Sequence, residues 1–382
     1  MINDKRLIKL LQKIVSINSE NPPGNELPLA KFIEKDMRSL KGVEVKTYTY
    51  DKNRPNIVAT LKGSLPRAQA KKGAILITPH FDTVPIGKGW KYPPLGAKII
   101  DGKMYGRGTS DDKCNTAISM EILRSLVEDK VQLKHDVIMA ATVDEETGSH
   151  YGIVPLCEKK VFKPRLALVL DSDEHSVIIA QKGLIHGRVK VFGKKAHGAY
   201  NWLGDNALSK AAKIITKLEK MKFPPHKKHK LLVPPTINIG VIHGGDKVNM
   251  VCDEVEFSID IRFLPDQKAK DILKTVKEII ASEAKKFKVI IDDLQLPYEI
   301  SDKHPSVQLF VKEGKKAKYK TTLMGSQGAT VITLFQKHGI PAFACGASAP
   351  GQAHCTDEYV KVKSVTKAAK FLEQYVKAFD AT

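Results

Sequence analysis

Four stretches decide how this chain folds: GAILITPH (residues 73–80), DVIMAATVDEE (136–146), LALVLDSDE (166–174) and IPAFACG (340–346). Each is a short apolar run ending at Gly, Pro or an acidic residue, the signature of a strand rather than a long helix. Between the first two lies TAISMEILRSLVED (116–129), whose apolar residues return at helical spacing. Strands that are apolar on both faces and alternate with helices belong in a mostly parallel sheet flanked by helices. The pattern therefore predicts an α/β fold.

From about residue 184 the style changes. GLIHGRVKVFG (183–193), DNALSKAAKIITKLEK (205–220), TINIGVIHGG (236–245), DEVEFSIDIRFL (253–264), QKAKDILKTVKEIIASEAKK (267–286) and FKVIIDD (287–293) follow one another as strand, helix, strand, strand, helix, strand. That βαββαβ order describes a ferredoxin-like α+β layer, and its length suffices for an autonomous domain. The α/β style then returns with a Gly-rich turn, MGSQGAT (324–330), a helix through ITLFQKHG (332–339) and a closing helix. The expected organisation is one catalytic domain in two parts, residues 1–183 and 297–382, interrupted by an inserted domain over 184–296.

At 382 residues and 42% apolar content the chain can bury a sizeable core. Its charge of +20 invites a nucleic-acid reading, but only nine of the 62 basic residues are arginine, and the lysines spread over helix faces such as KAAKIITKLEKMK (210–222). We read them as a solvated surface. Five cysteines, Cys114, Cys157, Cys252, Cys345 and Cys355, form no CxxC pair, and the opening MINDKRLIKLLQKIV is a charged helix pattern, not a leader. A cytoplasmic protein without nucleic-acid or membrane partners is expected.

Acidic and histidine residues fall where the apolar strands end. ILIT leads to His80 and Asp82, VIMAATV to Asp144, Glu145 and Glu146, LALVL to Asp171, and AFACG by a short loop to His354. Asp111 adds to them from the Gly-containing loop YGRGTSDDK (105–113). The carboxyl ends of strands in an open α/β sheet are where sites are built. Two imidazoles and several carboxylates suit zinc or a related divalent ion, and five ligands with one shared carboxylate serve two ions. On an extended segment Asp82 faces the same way as His80 and can orient its ring. One member of the Glu145–Glu146 pair can bind metal while the other handles a proton.

With those residues in view, the sequence resembles the dinuclear zinc aminoacylases and exopeptidases, the family of acetylornithine deacetylase, succinyl-diaminopimelate desuccinylase, carnosinase-like dipeptidases and glutamate carboxypeptidase. The resemblance runs through SINSENPPGNE (16–26), HFDTVP (80–85), YGRGTSDDK, DEETGS (144–149), LDSDE (170–174), KKAHGAYNWLGDNAL (194–208), TINIGVIHGGDKVNMV (236–251), DIRFLP (260–265), GIPAFACG (339–346) and AHCTDEYV (353–360). It implies that Asp111 bridges two zinc ions, with His80 and Asp171 on one, Glu146 and His354 on the other, and Glu145 as general base. Cobalt or manganese are possible substitutes. It also implies a cis peptide between Asp111 and Asp112.

In the inserted domain, the resemblance implies a lid and homodimer interface from which His197 reaches the other subunit's site to stabilise an oxyanion. Asn249 and Arg262 match lid positions near substrate, with Arg262 a clamp for a free carboxylate, and Gly325, Gly328, Ala329 and Thr330 match a substrate loop. Cys114 and Val331 depart from the family pattern, which usually has Gly and Asp there. The implied activity is hydrolysis of the amide bond in N-acyl amino acids or related small carboxylate-bearing amides, with a metallo-exopeptidase acting on dipeptides or C-terminal residues as the alternative.

Overall fold

A computed structural model describes residues 1–328 and 330–382. The chain divides into two compact units. The first comprises Met1–Ile179, Ile300–Met324 and Leu334–Thr382, and the second Ala180–Glu299 with Gly325–Thr333.

In the first unit, four strands form the parallel centre of the sheet in the order Val137–Ala141, Ile75–Thr78, Leu166–Leu170, Ala342–Cys345. Every residue of these strands is buried, as their unbroken apolar character requires of a sheet covered on both faces. Pro55–Leu61 and then Val43–Thr49 extend one side antiparallel, and Ser176–Gln181 joins the other side antiparallel. The sheet is thus mixed, with its parallel core where the sequence places it. Helix Lys113–Glu128 begins just ahead of the segment read as helical and is buried nearly all round, polar residues such as Asn115, Ser119 and Glu121 included, because it is packed between the sheet and helices Asp4–Val15 and Val362–Asp380.

The second unit has four antiparallel strands in the order Thr236–Gly244, Glu254–Phe263, Gly183–Phe192, Phe287–Gln295. Helices Ala207–Glu219 and Ala269–Ala281 bury one face of that sheet. The two central strands alternate buried and half-buried residues along most of their length, so a single apolar face made of Val189, Val191, Phe257, Ile259 and Ile261 meets Ile214, Leu218, Ile272 and Val276. This is the ferredoxin-like layer expected from the element order.

One local expectation is corrected. Met324–Ser326 of the MGSQGAT segment belong to the strand Thr322–Ser326, so the turn starts only at Gln327. Gly325 therefore serves close approach rather than turning: a Cβ there would lie 2.6 Å from the Leu231 carbonyl oxygen.

Candidate metal centre

Because the four central strands are parallel neighbours, their carboxyl ends lie along one edge of the sheet, and each delivers a polar side chain there. His80 follows Ile75–Thr78 by one residue past Pro79, Asp171 follows Leu166–Leu170 directly, and Glu145 and Glu146 open the short 3-10 turn Glu145–Thr147. His354 comes from the loop beyond Ala342–Cys345 with φ 64°. Asp111 enters from the loop before Lys113–Glu128. Gly108 shapes that loop at φ 82°, where a Cβ would lie 2.8 Å from both Lys113 and Thr83 side-chain atoms.

Asp111 stands between the two histidines. Its Oδ1 is 3.0 Å from His80 Nε2 and its Oδ2 is 3.3 Å from His354 Nε2, while Glu146 Oε2 is 3.0 Å from the same His354 nitrogen. The donor atoms fall into two groups sharing Asp111: His80, Asp111 and Asp171, and Asp111, Glu146 and His354. Within each group the atoms lie within 4.8 Å of one another. The Asp111–Asp112 peptide is cis.

This donor set fits divalent cations. Glu146 Oε1 is buried with no hydrogen-bond partner, an orphan acceptor of the kind a cation satisfies. Among the described residues no lysine or arginine forms an ion pair with Asp111, Glu145, Glu146 or Asp171, so these carboxylates crowd together with only the two imidazoles to balance them. Clustered carboxylates left in that state call for positive charge.

Comparison with known proteins agrees. Residues 179–288 match the model of the peptidase dimerisation domain, and residues 56–176 match that of peptidase family M28, together more than half of the chain. The acetylornithine deacetylase of Shigella sonnei (strain Ss046) is 27% identical over 347 residues, covering 88% of this chain and 86% of that protein. Among solved structures, aminopeptidase PepT from Bacillus cereus ATCC 10987 superimposes with a TM-score of 0.82 at 25% identity over the whole of both chains. YXEP from Bacillus subtilis, described as a dinuclear metal binding peptidase of the M20 family, gives 0.72 at 16% identity over 98% of each chain. The chain is similar over nearly its whole length to metal-dependent hydrolases of the M20 type.

The centre is held by supporting residues, of which the sequence places Asp82 beside His80 and leaves the others unmarked. Asp82 is fully buried. Its Oδ1 lies 3.4 Å from His80 Nδ1, while the His80 ring also meets the Asp82 carbonyl oxygen at 3.2 Å. The same carboxylate accepts the backbone N–H groups of Glu145 at 3.1 Å and Glu146 at 3.2 Å. It thus fixes the histidine and the glutamate pair together. Asn21 donates to Asp82 at 2.9 Å and reaches Asp144 and Thr147, which gives the SINSENPPGNE segment a structural task.

Glu358 is the second such residue. Its carboxylate accepts the N–H groups of Gly108 (3.0 Å), Ser110 (2.7 Å) and Asp111 (3.0 Å), and pairs with Arg107 at 2.8 Å. The loop that presents Asp111 is therefore organised by one buried side chain from a distant segment. Only the motif AHCTDEYV hints at it, because nothing local in sequence links Glu358 to residue 111. Glu358→Gln replaces one acceptor oxygen by an NH2 group and leaves backbone donors unsatisfied, each at a cost of about 1–3 kcal/mol. We expect a lower Tm and roughly 10–100-fold weaker metal binding, measured by competition with a chromogenic chelator.

The electrostatics of the site follow from burial and crowding. Burial opposes charge on His80, but hydrogen bonds with Asp111 and Asp82 outweigh it and raise the imidazole pKa well above its ordinary value. Hydrogen bonds with Asp111 and Glu146 raise His354 to about 10. Asp111 feels the same burial, yet His354 and His80 hold it below the usual carboxylate range. Burial and then repulsion from Asp111 push Asp171 up to about 6. Burial raises Glu145 well above the usual range, with Asp171 and Glu146 adding to it.

These shifts set a pH dependence for protein stripped by a chelator. Asp171 and His354 hold protons more tightly folded than unfolded, so their contribution to stability is complete below the unfolded values of about 3.9 and 6.5. It is lost as pH rises through about 6 for Asp171 and about 10 for His354. The Tm of chelated protein should fall between about pH 4 and pH 10, and added divalent cation should restore it most at the alkaline end, where fewer protons compete for the ligands. Scanning calorimetry with and without chelator checks this, and a flat metal-free profile would contradict it.

His197, Asn249, Arg262, Gly328 and Thr330 all belong to the second unit. His197 is exposed and caps a short 3-10 turn by accepting from the Ala199 N–H, and Gly198 donates to the Asn249 carbonyl at 2.7 Å, so His197 and Asn249 are neighbours. Arg262, expected as a clamp for a free carboxylate, is already engaged. Its Nε and Nη2 already bond Asp260, two residues away on the same strand face, at 2.7 and 3.0 Å. A substrate carboxylate would have to displace that partner. Thr330 is tied to Gln181 by its N–H and hydroxyl, while Gly328 is exposed. Ala329 lies outside the described residues. Cys114 is buried with its thiol toward the Ser110 carbonyl, a packing role, and Val331 is half-buried.

Proposed function

We propose that this M20 hydrolase cleaves the amide bond of N-acyl amino acids or related small amides bearing a free carboxylate, with two zinc ions held by His80 and Asp171 on one side, Glu146 and His354 on the other, and Asp111 shared. The observation that carries the proposal is Asp111, which offers one oxygen to each histidine-centred group. When bound, the two ions supply Lewis acidity for the scissile carbonyl and for water. Glu145 makes no side-chain hydrogen bond of its own among the described residues, and its raised pKa suits a proton carrier. In this reading it takes the proton from the attacking water and delivers it to the departing nitrogen. Asp82 keeps the His80 ring and the Glu145 backbone in register.

The acyl-group reading is supported by the 27% identity to an acetylornithine deacetylase. Peptide cleavage is the second reading, favoured by the fold-level match to an aminopeptidase. A panel of acetyl- and succinyl-amino acids beside unblocked di- and tripeptides, run with zinc, cobalt and manganese, separates them. Turnover of unblocked peptides alone would remove the deacylase reading.

The proposed assembly is a homodimer through the second unit, with His197 acting on the partner's substrate. Mixing Glu145→Gln and His197→Ala chains tests this: each parent is impaired, and only a dimer with shared sites regains activity, because one chain supplies Glu145 and the other His197. No helix among the described residues is long and apolar enough to cross a membrane. A cytoplasmic location is part of the proposal.

A further inference from the structure

The first unit contains a concavity that the metal centre does not use. A cavity of 740 Å³ lies over the outer edge of the sheet. Its floor is one face of three strands: Glu44, Lys46 and Tyr48 alternate along Val43–Thr49, Val58 and Thr60 along Pro55–Leu61, and Ile138 lies opposite Thr60. The other face of the same strands is covered by helix Leu27–Arg38, toward which Val45, Ile57 and Ala59 are buried and Thr47 donates to Glu34. On the cavity side no such helix among the described residues lies across the strands. The walls are the short helix Arg67–Lys72 and residues 160–164. The cavity sits toward the start of the Val137–Ala141 strand, whose far end leads to Glu145.

Seven lysine and arginine side chains line this cavity against two carboxylates. The two carboxylates are already spoken for: Glu44 pairs with Lys46 at 2.9 Å and Lys62 at 2.7 Å, and Asp136 accepts both ends of the Arg67 fork at 2.7 Å. Lys71, Lys72, Lys160 and Lys163 are exposed and form no ion pair or side-chain hydrogen bond among the described residues. They ring an apolar patch of Val58, Ile138, Phe162 and Pro164.

We propose that this cavity binds a small organic polyanion, an apolar ring or chain carrying at least two phosphate, sulfonate or carboxylate charges. The volume is that of a small-ligand pocket rather than an extended track for a nucleic-acid strand. Four mobile ammonium groups, each a point charge without a fixed fork, suit a cluster of anionic oxygens better than a single planar carboxylate. The Val58–Ile138–Phe162 patch takes the apolar body. This places an anion site on the catalytic unit but apart from its metals.

The test uses the full, metal-loaded chain and the fluorescent aromatic disulfonate bis-ANS, with ADP as competitor and sodium chloride at matched ionic strength as control. One saturable site per chain is expected, displaced by ADP. The variant Lys71→Glu/Lys72→Glu/Lys163→Glu should weaken binding by about tenfold or more while kcat/KM stays at the wild-type level. Because all three lysines are exposed, the variant should keep the wild-type Tm; if it does not, Lys→Ala at the same positions takes its place. Unchanged affinity in a folded variant overturns the proposal. So does displacement by the salt control as effective as by ADP, or binding of single-stranded RNA in preference to ADP.

Discussion

Glu145→Gln is expected to lower kcat by about 10²- to 10⁴-fold, the range a positioned proton carrier contributes, while leaving the metal content unchanged. The substitution keeps the shape of the side chain and removes only its ability to exchange a proton. Glu145 belongs to neither donor group in the site, whereas the adjacent Glu146 bonds His354 and carries the orphan oxygen. The two neighbours are therefore separable by experiment. Glu145→Gln should spare metal and lower turnover by that factor, and Glu146→Gln should reduce both. If Glu145→Gln also emptied the site, its assignment as proton carrier would fail and Glu145 would have to be counted as a ligand. Metal analysis beside steady-state kinetics on the same preparation decides the point.

The second large effect is expected at Asp111. Asp111→Ala removes the only group common to both donor sets, so metal content should fall from about two to below one per chain, and kcat/KM should drop by about a thousandfold or more, as several kcal/mol of Lewis-acid stabilisation disappear. His80 and His354 both lean on this carboxylate, so the loss should also bring the His354 pKa down from its raised value, visible in the imidazole resonances of chelated protein. A variant that folds, keeps two metals and still turns over would contradict the shared-carboxylate arrangement. Loss of one metal alone with partial activity would place the bridge elsewhere.

Much of this was legible in the chain. The four buried strands are read directly, since an apolar run short of helix length and bounded by breakers has few other uses. The ferredoxin-like layer follows from the order of its periodic segments. The exits at His80, Glu145, Glu146 and Asp171 follow from the strands, and the structure brings them within reach of Asp111 and His354. The start of the MGSQGAT turn is not legible, because a glycine required by the Leu231 backbone looks the same in sequence as one required for turning. Nor is the engagement of Arg262 with Asp260, since that pairing depends on both side chains sharing a face of one strand and choosing each other over solvent.

What the sequence by itself determined was the set of elements and the kinds of atoms at their ends: period, breakers and ligand chemistry are local properties, and local properties can be read along a chain. What only the tertiary structure decided was who holds whom. Glu358 organises the Asp111 loop from almost 250 positions away, Asn21 joins Asp82 to Asp144, and the lysine-ringed cavity forms because helix Leu27–Arg38 covers one face of the edge strands and leaves the other open. Hydrogen bonds and burial act over a few ångströms in space whatever the separation in sequence, so these partnerships exist only once the sheet has brought its strands together.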